Sequence, residues 1–354
     1  MKVLVLGGTG AMGVYLVQLL AQQGHEVIVT SRRQRESGLE NLKYIQGDAH
    51  DNLFLKDILS QKFDAIVDFM VYHTEEFAAR YRMFLDVTEQ YIFFSSSRVY
   101  ADSKSPITES SPRLLDVCKD KEYLATDEYA LTKARQEDML MQSGKQNWTI
   151  IRPYITYSNA RLQLGVLEKE YWLQRALRGG TIVFGKDIAT RRTTLTYGED
   201  VSRVVSMLIG NDKAFGKAVH ITGQDTMLWS EVLELYLDVI ECKIGKRPNV
   251  LMTENSDGIK DVLCNQYQID CDRLYNRVFD NSFVNDLCGG NASYTPMRDG
   301  LTRCVEEFLN SQKVFLWNNP KLEAWMDRQA KERTSVNEFV EWKSKMKYLF
   351  FRYL

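Results

Sequence analysis

The chain has 354 residues, 44% apolar and 26% charged, which suits one large globular domain or two modest ones. Its 45 lysines and arginines against 47 aspartates and glutamates leave a net charge of -2, which excludes a global field for nucleic acid or an anionic membrane. Six scattered cysteines without a C-x-x-C pair argue against a disulfide framework, and four dispersed histidines offer no metal-ligand spacing, so no metal is expected. The opening apolar run stops at Gly7-Gly8, too short for a leader, and no run is long enough for a bilayer. A cytoplasmic protein is the expectation.

Over the first 160 residues short β-branched runs alternate with amphipathic stretches. Strands are predicted at Lys2–Leu6, Glu26–Thr30, Lys43–Gln46, Ala65–Phe69, Tyr91–Ser95 and Trp148–Arg152. Helices are predicted at Ala11–Gln23, Leu53–Ser60, Glu75–Thr88 and Thr126–Gln142. This alternation reads as an α/β fold with a parallel sheet covered on both faces. Beyond residue 160 the pattern becomes α+β. It gives a helix at Val166–Arg178, strands at Thr181–Phe184 and Arg192–Tyr197, a helix after Gly198-Glu199-Asp200 and a strand at Ala218–Thr222. A helix at Trp229–Ile240 and a strand at Asn249–Thr253 precede a mainly helical remainder. Trp325, Trp342 and the aromatic end around Tyr348–Tyr353 predict a docked terminal helix. Lys343, Lys345 and Lys347 beside them keep a membrane-surface or dimer contact as the alternative.

Gly7-Gly8-Thr9-Gly10-Ala11-Met12-Gly13 follows the first strand and opens the first helix. Gly7 permits the tight turn, Gly10 lets backbone approach a pyrophosphate, and Gly13 allows close helix–strand packing. The free N–H groups of the helix start, at Thr9, Ala11 and Met12, face the anion. The pattern predicts a dinucleotide site in a Rossmann-type doubly wound parallel sheet. The predicted organisation is an NAD(P)-binding domain over 1–160, a smaller α+β C-terminal substrate subdomain over 161–312 and a helical extension over 313–354. Strand exchange back to the first domain is predicted near 190–222. After the second strand, where an acidic residue would bind the ribose of NAD, stand Ser31-Arg32-Arg33. Two guanidiniums there attract a 2′-phosphate, which favours NADP over NAD; a solvated basic loop is the alternative reading. Asp48, with Ala49, follows the third strand at the level of the adenine.

Tyr129-Ala130-Leu131-Thr132-Lys133 places a phenol and an ammonium one helical turn apart. A nearby cation lowers the phenol's pKa and equips it for proton transfer. The fifth strand ends Phe94-Ser95-Ser96-Ser97-Arg98-Val99-Tyr100, so a strand-end hydroxyl is available to the same substrate oxygen.

Taken together, GGTGAMG, SSSRVY and YALTK resemble the extended short-chain dehydrogenase/reductase superfamily, in its sugar-nucleotide epimerase/dehydratase/reductase branch. The likeness continues through Asp64–Asp68, Ile151-Arg152-Pro153, Tyr197–Val201 and Phe279–Ser282, over roughly residues 1–312. It implies Tyr129 as general acid/base, Lys133 as its electrostatic partner and ribose ligand, and Ser96 as the catalytic hydroxyl with Ser97 as competitor on the substrate side. It further implies Pro153 beside the nicotinamide, Phe69 and Met70 beside the adenosine, and a homodimer through the helices at Glu75–Thr88 and Thr126–Gln142. Arg192 is the candidate for a substrate diphosphate, with a solvated surface arginine as the alternative. Dehydratases of the branch carry Asp-Glu after the catalytic hydroxyl; here those positions are Ser97 and Arg98, which disfavours dehydration. The implied activity is NADPH-dependent reduction of a keto-sugar nucleotide, in a polysaccharide-precursor role. The alternatives are an epimerase, or a non-catalytic nucleotide-sensing or RNA-binding relative.

Overall fold

The computed structural model describes residues 1–312 and 314–353. The apolar runs of the first half form β1 (Lys2–Leu6), β2 (Glu26–Ser31), β3 (Leu42–Gln46), β4 (Phe63–Asp68), β5 (Thr88–Phe94) and β6 (Trp148–Pro153). With β7 (Lys217–Ile221) they make a seven-stranded sheet in the order β3-β2-β1-β4-β5-β6-β7, every pairing parallel. Such a sheet is apolar on both faces because helices cover both. Val3 and Val5 of β1 belong to the core on one side, Leu4 and Leu6 to the core on the other, as the two-residue side-chain period demands.

α1 (Gly13–Gln22) packs on the first side through Leu16, Val17 and Leu20. On the second side lie α2 (Asn52–Ile58), α3 (Thr74–Ala78), α4 (Tyr81–Val87) and α5 (Tyr129–Met141). The single helix predicted at Glu75–Thr88 is thus two, and Thr88 already opens β5. Arg80 is the break: its buried guanidinium turns away to the carbonyls of Ala49 and His50 and the side chain of Asn52. Those bonds satisfy buried N–H donors of the guanidinium, whose counter-charge is Glu76 at 2.9 Å.

The helix predicted at Val166–Arg178 is also replaced. Gly165 adopts a φ of +59° and turns a tight antiparallel pair, Gln163–Leu164 with Leu167–Glu168; the helix is confined to Leu173–Leu177. The strand predicted at Arg192–Tyr197 divides in two. Arg192–Thr193 pairs with Met227–Leu228, and Thr196–Tyr197 pairs with Thr156–Tyr157. The chain then returns to the first side of the main sheet as α6 (Gly198–Leu208), whose Val201, Val204 and Val205 join the α1 core, before β7 extends the sheet beside β6.

The second half has its own core. α7 (Trp229–Ile244) and α8 (Met297–Asn310) pack around Trp172, which stacks on Tyr236 with ring centroids 4.5 Å apart. α9 (Pro320–Ala330) adds Leu322, Trp325 and Met326 to it, and α10 (Trp342–Tyr353) lies on α9 through buried Tyr348. The aromatic end is divided, for Trp342 is 69% exposed. Among the described residues no helix is long and apolar enough to cross a membrane.

Candidate active site

Parallel strands end together, so their carboxyl ends form one rim where side chains from separate segments meet. Met12 comes from the turn after β1, Phe69 from beyond β4, Phe94, Ser95 and Ser96 from the end of β5, and Pro153 from the end of β6. These residues line one cavity of about 380 Å³, together with Tyr129 and Lys133 of α5. Ile155 also lines it, at a φ of +23° that β-branched residues rarely adopt, which is backbone strain at the cavity wall.

Tyr129 is the first residue of α5, and the Glu128 carboxylate caps that helix by accepting from the Ala130 N–H at 2.7 Å. Burial pushes the phenol above its ordinary pKa; the guanidiniums of Arg98 and Arg161 and a hydrogen bond with the Ser96 hydroxyl act against that. Arg98 packs over the Tyr129 ring, 5.3 Å from its centroid, and pairs with Glu128. Lys133 is fully buried, with its ammonium 4.5 Å over the Phe93 ring and 3.5 Å from the Met70 carbonyl. Burial brings the Lys133 pKa down to about 8, against the pull of Asp68 and Glu137.

The three serines after β5 have separate employment. Ser95 donates to Glu137, a buried carboxylate that also holds Arg152 through bonds of 2.8 and 2.7 Å. Ser97 is fully buried and donates to the Arg152 carbonyl at 2.7 Å. It does not reach the cavity wall, which corrects its expected substrate-side place; Ser96 does reach it.

The glycine turn fits an anionic cofactor. Gly7 has a φ of +71°, and a Cβ on Gly13 would stand 2.6 Å from the Gly8 backbone, so the helix start approaches the strand as only glycine allows. A Cβ on Gly10 would meet nothing within 4 Å. Among the described residues no side chain caps α1, and its first turn carries no acidic residue, so its positive end faces outward uncompensated. Thr9, Gly10 and Ala11 line a second cavity of about 470 Å³ together with Leu316 and Trp317, and Arg161 belongs to both cavities.

At the far edge the Ser31 hydroxyl is buried and accepts from the Arg33 N–H at 3.3 Å. Arg32 and Arg33 are exposed, and among the described residues no carboxylate pairs with either. Asp48 is exposed and accepts from the His50 N–H at 3.0 Å, while the carbonyl of buried Ala49 holds Arg80. Met70 packs against Gly7 and donates its N–H to Asp68 at 2.9 Å. Arg192 lies elsewhere: it is exposed on its short strand, bonded to Thr226 at 3.1 Å, and is not a wall of the cavity. The expected diphosphate ligand is thus displaced, because its strand pairs with Met227–Leu228 and carries it outward. Among the polar residues that do line the cavity are Arg161, Gln163, Gln268 and Arg273, none of them singled out from sequence.

Residues 3–221 match the NAD dependent epimerase/dehydratase family. The chain is similar to the chloroplast stem-loop binding protein of 41 kDa b of Arabidopsis thaliana, with 27% identity over 239 residues, 63% of this chain and 59% of that one. It is similar also to the 2′-dehydrokanamycin reductase of Streptomyces kanamyceticus, at 27% over 243 residues, 66% of this chain and 65% of that one. The chain therefore spans roughly three fifths of the length of the curated relatives it matches. In fold it is similar to the UDP-N-acetylglucosamine 4-epimerase of Methanobrevibacter ruminantium M1, solved with UDP-N-acetylmuramic acid. The TM-score is 0.67 at 16% identity, covering 87% of this chain and 98% of that one. WbmH of Bordetella bronchiseptica, solved with NAD+, gives 0.65 at 16% identity, covering 88% and 99%. With the match over residues 3–221, the parallel sheet and the glycine turn assign the chain: it belongs to the NAD dependent epimerase/dehydratase family, within the extended short-chain dehydrogenases/reductases.

Proposed function

We propose that this chain is an NADPH-dependent reductase of a keto-sugar nucleotide. The observation that carries the reading is the meeting of Ser96, Tyr129 and Lys133 on one cavity at the carboxyl rim of the sheet, with Met12, Phe69 and Pro153 beside them. The choice of NADPH rests on Arg32 and Arg33, exposed beyond β2 with no carboxylate to neutralise them. When bound, the reduced nicotinamide supplies a hydride to the carbonyl carbon. Tyr129 then gives its phenolic proton to the carbonyl oxygen, so that C=O becomes CH–OH. Ser96 donates a hydrogen bond to the same oxygen and orients it, and Arg98 stabilises the phenolate left behind.

Tyr129→Phe tests the assignment, since it removes the proton donor and little else. Turnover falls by about 10²–10⁴-fold while NADPH affinity stays within a factor of a few. Unchanged turnover would defeat the role of Tyr129. Calorimetric titration with NADPH and then NADH tests the cofactor. NADPH preference lost in Arg32→Ala/Arg33→Ala supports the reductase, whereas NADH preference moves the reading to a sugar-nucleotide epimerase.

A second reading has one observation in its favour, the stem-loop binding relative. An RNA-binding role predicts affinity for an RNA hairpin that falls steeply with added salt. Hairpin affinity that is weak and insensitive to salt removes it.

A further inference from the structure

The walls of the 380 Å³ cavity carry charge of one sign. Lys133, Arg98, Arg161 and Arg273 all line it, and none of its described lining residues is a carboxylate. The carboxylates stand behind the guanidiniums and are too few for them. Glu168 holds Arg161 at 3.1 Å, Glu128 holds Arg98, and Asp272 is shared by Arg273, by Arg277 at 2.9 Å and by Arg98 at 3.8 Å. The Nε of Arg98 is buried and, among the described residues, has no hydrogen-bond partner. Burial, with added repulsion from Arg98 and Arg161, lowers the Arg273 pKa to about 10. Buried cations left short of counter-charge are costly, and an anion in the cavity removes that cost. On the same wall the carbonyl oxygen of Gln163 is buried without a donor, while its amide nitrogen is committed to Glu168 at 2.6 Å. This is an acceptor suited to a hydroxyl.

We propose that the sugar ring reduced here is itself an anion, carrying a carboxylate that Arg98 binds, with Arg273 and Arg161 behind it and a ring hydroxyl donating to Gln163. The inference rests on the reading above, in which Tyr129 protonates the carbonyl of a nucleotide sugar. Its position follows from Arg98, which lies against the Tyr129 ring. The reacting oxygen must stand within hydrogen-bond reach of the phenol. A carboxylate on a neighbouring ring carbon then falls beside that guanidinium, whereas a diphosphate joined through the anomeric oxygen lies farther from the phenol. The planar guanidinium fork also matches a carboxylate in two parallel bonds.

The test is calorimetric titration of the full chain, with NADPH present, using UDP-glucuronate and UDP-glucose. These probes differ only in carrying a carboxylate or a hydroxymethyl group. The expected result is a preference of about 10- to 100-fold for UDP-glucuronate. In Arg98→Met and Arg98→Gln the ratio of the two affinities collapses toward one, and Arg98→Lys recovers part of it. A circular dichroism spectrum like that of the parent identifies the folded variants. Equal affinity in the parent, or a preference that survives both neutral substitutions, overturns the proposal. Free glucuronate against glucose separates the two levels of the argument. If neither nucleotide sugar binds but glucuronate is preferred through Arg98, the nucleotide-sugar reading fails and the anion site stands. Without preference in either pair the anion site is overturned.

Discussion

Tyr129 and Lys133 share one helix face, and the spacing alone led to the expectation that the lysine acts on the phenol. Enclosure alters the balance. Burial raises the phenol's pKa, and the cations opposing it are Arg98 and then Arg161, which reach the cavity from other segments. Lys133 lies over Phe93 and close enough to Asp68 to feel its charge. Its pKa falls from an ordinary 10.5 to about 8, because burial penalises the ammonium more than the two carboxylates favour it. In the folded chain this ammonium is therefore lost as pH rises through about 8, while the unfolded chain keeps it to about 10.5. Two opposite responses result. Between those limits the unfolded state binds more protons, so this group's contribution to stability rises with pH. Affinity for the anionic cofactor falls over the same limits as the attracting charge disappears. NADPH titrations from pH 6.5 to 9.5 should show a downward step near pH 8 that is absent in Lys133→Met. A step of the same size in that variant assigns it to another group.

Among the elements, the turn from β1 into α1 depends on two glycines in contact. The Cβ of Gly13→Ala would press on the Gly8 backbone at 2.6 Å, and backbone cannot swing aside as a side chain can. The expected cost is about 1–3 kcal/mol of stability, with a larger loss in cofactor affinity because the helix start is displaced from the turn. Thermal unfolding and NADPH titration measure the two effects, and an unaltered affinity would show that α1 does not bear on the cofactor. Gly10→Ala, at a position with open space around it, leaves stability unchanged and isolates the effect on the ligand side. Elements with long periodic runs were legible in the sequence, since β1 to β6, α1 and α5 lie within a few residues of their predicted places. The errors fall where a tertiary bond competes with local preference. The helix breaks at Arg80, whose guanidinium donates to the Ala49 carbonyl on a distant segment, and Gly165 turns a hairpin where apolar spacing mimicked a helix.

On the scale of the whole molecule, the C-terminal extension is tied to the second core through one buried cation. Arg175, on the helix Leu173–Leu177, reaches Asp327 at 2.8 Å and Glu332 at 2.7 Å and also pairs with Glu323. Asp327 in turn accepts from Tyr348 at 2.6 Å and fastens α10 onto α9. Arg175→Ala leaves Asp327 buried without its counter-charge and should cost about 3–5 kcal/mol, as a lowered unfolding midpoint in denaturant. A loss near zero would show that the apolar contacts and the remaining ties, such as Arg178 with Glu323 and the Thr181 N–H with Glu332, suffice to hold the extension.

The sequence by itself determined the parallel sheet, the glycine turn, the pairing of Tyr129 with Lys133 on one helix face and a hydroxyl at the end of β5, because each rests on residues close together in the chain. A strand's apolar run, a turn's backbone freedom and one helical turn of spacing are local physics. Only the tertiary structure decided which charges face the cavity. Arg98, Arg161 and Arg273 come from three separate segments, and Arg192 is turned away by the partner its strand finds. A guanidinium's place depends on which carboxylate is left to hold it, and that is settled only when distant segments pack together.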